Sequence, residues 1–260
     1  MNRTKTAVIN LVFLVITLIV NGLGAAGVIN GLSQKEISDK YITIITPSPS
    51  TFSIWSVIYT LLIISLIVMI VKKKDEYYQK AIDEISLLYR LSCGFNIVWI
   101  VLFSYLQILL SSIFIFGFLI TLSLLCIKLI KIQEKNRFLL PLTFGLYTGW
   151  LMIATVVNIS ATLVKLEWNG FGISTEILAI ATLIVSVVLV YLVQLSNKNA
   201  AFPLPIAWAF FGINKYLTAP EGFNGEYKIL PVVCLIGMVI LIGIAAIQLY
   251  KNKFRLLPTK

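Results

Sequence analysis

The stretch Trp150-Leu-Met-Ile-Ala154-Thr-Val-Val-Asn158 lies inside a long apolar run, residues 139 to 164, and its reading decides the fold. Its marked residues recur at i, i+4 and i+8, which is one face of a helix. A second stretch, Asn96-Ile-Val-Trp99-Ile-Val-Leu-Phe103, repeats the arrangement at i, i+3 and i+7. Asn is costly against hydrocarbon and stays in a membrane helix chiefly where it faces other helices, a cavity or a ligand. Both faces are therefore expected to point into the interior of a helical bundle.

Working outward, the 260-residue chain is 59% hydrophobic and 12% charged, with a mean hydropathy of +0.95. A water-soluble fold has too little interior to hide that much apolar surface, so the chain belongs in a bilayer. A spanning helix needs about 20 mainly apolar residues. Eight runs qualify: 8 to 30, 51 to 71, 87 to 108, 110 to 130, 139 to 164, 174 to 195, 200 to 218 and 229 to 250. They are rich in Leu and Ile without the ten-residue in-out alternation of a membrane barrel. The expected fold class is all-α, a polytopic transmembrane bundle of about eight spans.

The formal charge of +10 is sorted along the chain. Counting gaps between runs alternately, sixteen of the 21 basic residues fall on one side, among them Arg3, Lys72, Lys73, Lys74, Lys128, Lys135, Arg137 and Lys260. The other side holds five: Lys35, Lys40, Lys165, Lys215 and Lys228. This is the pattern of the positive-inside rule, and it predicts a multi-pass protein of the cell membrane with both termini cytoplasmic. The basic residues cap spans and form no aromatic-interleaved patch, so nucleic acid is not an expected partner.

Cys93, Cys126 and Cys234 fall inside runs without paired spacing and read as small buried hydrophobes. The first run follows Arg3 and Lys5 as a signal peptide would, yet it is long enough to span, and an uncleaved first helix is expected. Segment 31 to 50 is polar and ends in Thr46-Pro-Ser-Pro-Ser-Thr51, where Ser50 or Thr51 can cap the second helix; it is a candidate lid. Residues 75 to 90 place Ala81, Ile82, Ile85, Leu88 and Tyr89 at helical spacing, so the third helix is expected to begin at the interface. Spans three and four, separated by a few residues near Leu109, should form a tight antiparallel pair.

Depth separates the tryptophans. Trp99 and Trp150 stand about a dozen residues into their spans, roughly 18 Å along the axis and near mid-membrane. Trp168 reads as an interface anchor, Trp55 fits either role, and Trp208 is central with Asn214 as its nearest strong polar neighbour in sequence. The chain has no His, and no paired Asp or Glu lies within a run, so proton relays, acid-base chemistry and haem ligation by His lack their usual parts. There is no Walker-type phosphate loop. No enzymatic activity is expected. What remains is a chamber lined by aromatic and Asn side chains, suited to a flat or elongated apolar ligand with one or two polar handles.

The order of these motifs resembles the TspO/MBR family of translocator and tryptophan-rich sensory proteins. The likeness rests on Pro49-Ser-Thr-Phe52-Ser-Ile-Trp55-Ser-Val-Ile-Tyr59, on Asn96, Trp99 and Phe103, and on Trp150, Ala154 and Asn158, across about residues 8 to 165. It implies a five-helix bundle over 1–170 with three further spans, 171–260, packed on it. It also implies a pocket roofed by the first loop and lined or supported by Phe52, Trp55, Tyr59, Asn96, Trp99, Phe103, Trp150, Ala154 and Asn158. Stacking on Trp99 and Trp150 and hydrogen bonds from Asn96 and Asn158 would hold the ligand. By that resemblance the ligand is a tetrapyrrole such as protoporphyrin or haem, or a lipid, with no resident cofactor or metal. The protein would act as sensor, receptor or carrier. Expected partners are this ligand, the bilayer and a second copy of the chain in a homodimer. The alternative is a secondary transporter or permease using all eight spans, with helix breaks at Gly117, Gly145 or Gly149.

Overall fold

A computed structural model describes residues 3–134 and 137–259; Lys135 and Lys260 of the charge count lie outside the described residues. Among these residues the chain forms nine α-helices and no strand. They are α1 (Arg3–Ala25), α2 (Gln34–Lys40), α3 (Ile54–Val71), α4 (Glu76–Ser104), α5 (Ile108–Ile132), α6 (Leu139–Lys165), α7 (Thr175–Asn197), α8 (Leu204–Thr218) and α9 (Leu230–Lys251). A 3-10 turn, Pro49–Ser53, leads into α3.

Seven of the helices are long and apolar enough to cross a membrane, and they correspond to seven of the eight expected runs. The eighth run, 200 to 218, forms α8, which at 15 residues is about 22 Å long and shorter than a hydrocarbon core. Residues 199 to 203 reach it as buried turns, because Asn199 donates through Nδ2 to the Pro141 carbonyl at 2.8 Å and its own Oδ1 accepts from Ala201 N.

Helix α6 is the axis of the bundle. In its most apolar 18-residue window 72% of residues are buried, against 22 to 39% in the other six long helices. Those outer helices turn apolar faces outward, such as Val8, Val12 and Ile19 of α1 or Val232, Ile236 and Val239 of α9. The expected helix breaks are absent. α5 is continuous through Gly117, and α6 through Gly145 and Gly149. These glycines serve close packing instead: a Cβ at Gly149 would come within 2.1 Å of the Phe202 carbonyl oxygen, and one at Gly145 within 2.7 Å of Asn199.

One other expectation shifts. Thr51 does not cap α3; the 3-10 turn precedes that helix, and the Thr51 and Ser48 hydroxyls pair at 3.0 Å. The third span is one continuous helix of 29 residues, about 44 Å, whose first turns bury Tyr77, Tyr78, Ala81, Ile82 and Ile85 against neighbours. Its end meets α5 in a tight turn at Leu106, whose φ is 58° and whose carbonyl accepts from Lys165 Nζ. α4 and α5 pack along their length as the expected antiparallel pair.

Candidate functional site

Helices α3, α4 and α6 bring their aromatic faces together. Trp55, which the sequence leaves open between two roles, is the hub. It stacks on Tyr59 at 5.2 Å and meets Tyr147 and Trp150 edge-on at 6.1 Å each, with Trp99 at 6.4 Å. Phe52 meets Trp150 edge-on at 5.8 Å. Such edge and offset contacts fix ring orientations and add about 0.5 to 1.5 kcal/mol each beyond burial.

Beside this cluster lies a cavity of about 360 Å³. Its walls are Phe52, Trp55, Trp99, Ile100, Phe103, Trp150, Ile153, Ala154, Val157, Asn158 and Ala161, with Ala25 from α1. The segment expected to be a lid is its roof, through Gln34, Lys35, Ser38, Asp39, Tyr41, Thr46, Pro47 and Pro49. Tyr216 of α8 completes the lining.

The roof is built by local rules. Ser33 caps α2 by accepting from Glu36 N through Oγ, and Glu36 Oε2 accepts from Ser33 N at 2.7 Å, a reciprocal capping box. That backbone bond holds the Glu36 carboxyl below the usual carboxylate range. Ile37 is fully buried in a small cluster with Ile108 and Ala161, so α2 is clamped onto the ends of α5 and α6. Lys35 and Asp39, one turn apart, form an ion pair at the rim, and Asp39 holds the Lys35 ammonium above its usual range.

Seven of the nine residues singled out from sequence line this cavity: Phe52, Trp55, Trp99, Phe103, Trp150, Ala154 and Asn158. Tyr59 and Asn96 do not. They join a buried relay in which Tyr59 Oη donates to Asn21 Oδ1 at 3.1 Å and Asn21 Nδ2 donates to Asn96 Oδ1 at 2.6 Å. Asn96 Nδ2 then donates to Tyr147 Oη at 3.5 Å, so four helices are tied through side chains that hydrocarbon would otherwise leave unpaired.

The amides also have protein partners. Asn158 Oδ1 accepts from Trp99 Nε1 at 3.0 Å, while its Nδ2 donates to Ser112 at 2.7 Å and Ser111 at 3.0 Å. Both amides therefore bridge helices through bonds to protein partners. Two donors on cavity-lining residues are in the opposite condition. Gln34 Nε2 and Trp150 Nε1 are buried without a hydrogen-bond partner among the described residues.

Sequence reasoning passed over Gln34, Lys35, Asp39 and Tyr216. The Ser33-x-x-Glu36 spacing is a legible signal for a helix in the first loop; nothing local marks Tyr216, which arrives by tertiary packing of α8. A family model described as TSPO-like protein matches residues 7–247, running through the long helices on both sides of residue 170. No curated protein and no solved structure matches the chain.

Proposed function

This chain belongs to the TSPO-like protein family, and from that premise we propose that it binds a hydrophobic small molecule in the roofed cavity. The ligand is a tetrapyrrole such as protoporphyrin, or a lipid of similar bulk, and the role is that of sensor, receptor or carrier without catalysis. The observation that carries this reading is the roofed cavity itself, whose volume falls in the range of small-molecule sites and whose walls are mainly aromatic and aliphatic. Flat rings meet the indoles of Trp55, Trp99 and Trp150 in the cavity wall. A carbonyl or carboxylate on the ligand finds the unpartnered Gln34 and Trp150 donors and the Lys35 ammonium at the rim. Basic residues such as Lys72, Lys73, Arg137 and Lys251 cluster at the end opposite the roof, which supports cytoplasmic termini and a cavity opening to the other side.

The test is titration of the detergent-solubilised protein with protoporphyrin, reading tryptophan fluorescence. Saturable quenching is expected, weakened about tenfold or more by Ala154→Phe, which fills the cavity and removes no wall. Absent or non-saturable quenching, or quenching indifferent to that substitution, overturns the reading.

A further inference from the structure

The lid joins α3 through residues 48 to 53, and α8 grips that hinge. Ser48 N donates to the Gly212 carbonyl at 3.0 Å. Trp208 Nε1 donates to the Thr51 carbonyl at 2.9 Å, and Lys215 Nζ to Ser50 Oγ at 3.2 Å. The contact is close: a Cβ at Gly212 would lie 2.1 Å from Thr51 Oγ1. Trp208, Gly212, Lys215 and Tyr216 fall on one face of the helix, so a single rigid element holds the hinge and places Tyr216 in the cavity lining.

Trp208 makes this grip more than incidental packing. Its ring is 40% exposed on the outer surface of the bundle and stacks on Phe211. An indole N–H left unpaired there faces hydrocarbon, not water. The hinge therefore cannot swing away from α8 without stranding that donor, and Gly212 allows no gap between them.

We propose that α8 is the latch of the lid: the cavity opens only when the bonds from Trp208, Gly212 and Lys215 to residues 48 to 51 are released, and Tyr216 leaves the cavity rim with them. This gives the short eighth helix a task, control of access. It deepens the reading of the cavity as a binding site, but its test needs no ligand.

The full-length protein carrying Ala154→Cys as a reporter is labelled with a water-soluble maleimide in detergent. Native Cys126, buried against the Phe144 carbonyl and Thr148, serves as internal control. Trp208→Phe keeps the ring and loses one hydrogen bond, and Lys215→Met loses another. Each is expected to speed reporter labelling about fivefold, the equivalent of one ordinary hydrogen bond, and the pair more than either. Gly212→Ala should act in the same direction. Reporter rates within about twofold of the parent in both single variants overturn the latch, as does an equal acceleration at Cys126, which signals general loosening. A protein that labels faster when unlatched but shows no saturable protoporphyrin quenching keeps the latch and loses the ligand reading; quenching with unchanged labelling does the reverse.

Discussion

Trp99 and Asn158 are bound to each other: the indole Nε1 donates to the Asn158 side-chain carbonyl at 3.0 Å, bridging α4 and α6 at the wall of the cavity. Because Asn158 also donates to Ser111 and Ser112, one amide ties three helices. Asn158→Leu is expected to lower stability by about 1 to 3 kcal/mol, since interhelical bonds in membranes average about 0.6 kcal/mol and the stranded indole adds a desolvation cost. Thermal unfolding in detergent measures it; an unchanged melting temperature would show that the bridge contributes nothing.

Asn96 is expected to separate structure from binding. It lies off the cavity and pairs with Asn21 and Tyr147, so Asn96→Leu should cost about 1 kcal/mol of stability or more. Protoporphyrin affinity should stay within about threefold, as the walls are untouched. A tenfold loss of affinity with normal stability would place Asn96 in the binding surface after all.

At the end opposite the roof, Arg137 Nη2 bonds both Asp75 carboxylate oxygens, at 2.9 and 3.1 Å, and lies over the Tyr77 ring at 5.2 Å. Burial pushes the Asp75 carboxyl up, but hydrogen bonds from Arg137 and from the backbone of Tyr77 and Tyr78 outweigh it and hold the group below its usual range. A lowered folded value means stability that is present above the unfolded pKa of about 3.9 and is lost as pH falls through the folded value. For a pair this close to solvent the amount is about 0.5 kcal/mol. Arg137→Met should reduce that acid-side slope, leaving the part due to the backbone bonds of Tyr77 and Tyr78, as melts of both proteins between neutral pH and pH 3 would show; identical slopes would refute the assignment.

Glycines divide sharply by surroundings. Gly149→Ala forces a methyl against the Phe202 carbonyl and is expected to cost about 1 to 3 kcal/mol and loosen the 199 to 203 turns. Gly94, also mid-helix, has nothing within 4 Å of a Cβ, so Gly94→Ala should be neutral or mildly stabilising. Comparable melts for the two variants would contradict the packing described for α6.

The periodic features of this chain were legible because a helix repeats every 3.6 residues wherever it lies. Trp99 with Phe103, and Trp150 with Ala154 and Asn158, were set on inward faces by spacing alone, and the structure gathers them around one cavity. Spacing says which face a residue occupies, not which partner it meets. The inward faces of Asn96 and Asn158 are legible in this way, but their bonds to Asn21, Tyr147, Trp99, Ser111 and Ser112 are not. Tyr216 and the grip of Trp208 on Thr51, 157 residues away in sequence, depend on how α8 docks, and no local pattern encodes that. Helix α8 itself was legible as apolar, but its shortness was not, since Ala200, Ala201 and Phe202 read as a continuation of the same apolar run.

On the proposed function, a flat hydrophobic ligand resides in the chamber beneath α2, between Trp99 and Trp150. Crystals grown with zinc protoporphyrin and measured at the zinc edge test it most directly. One anomalous peak is expected inside the chamber, within reach of Trp55, Trp99, Trp150 and the roof. A peak confined to the outer surface beside Trp208, or no peak in crystals grown at saturating porphyrin, is the opposite result.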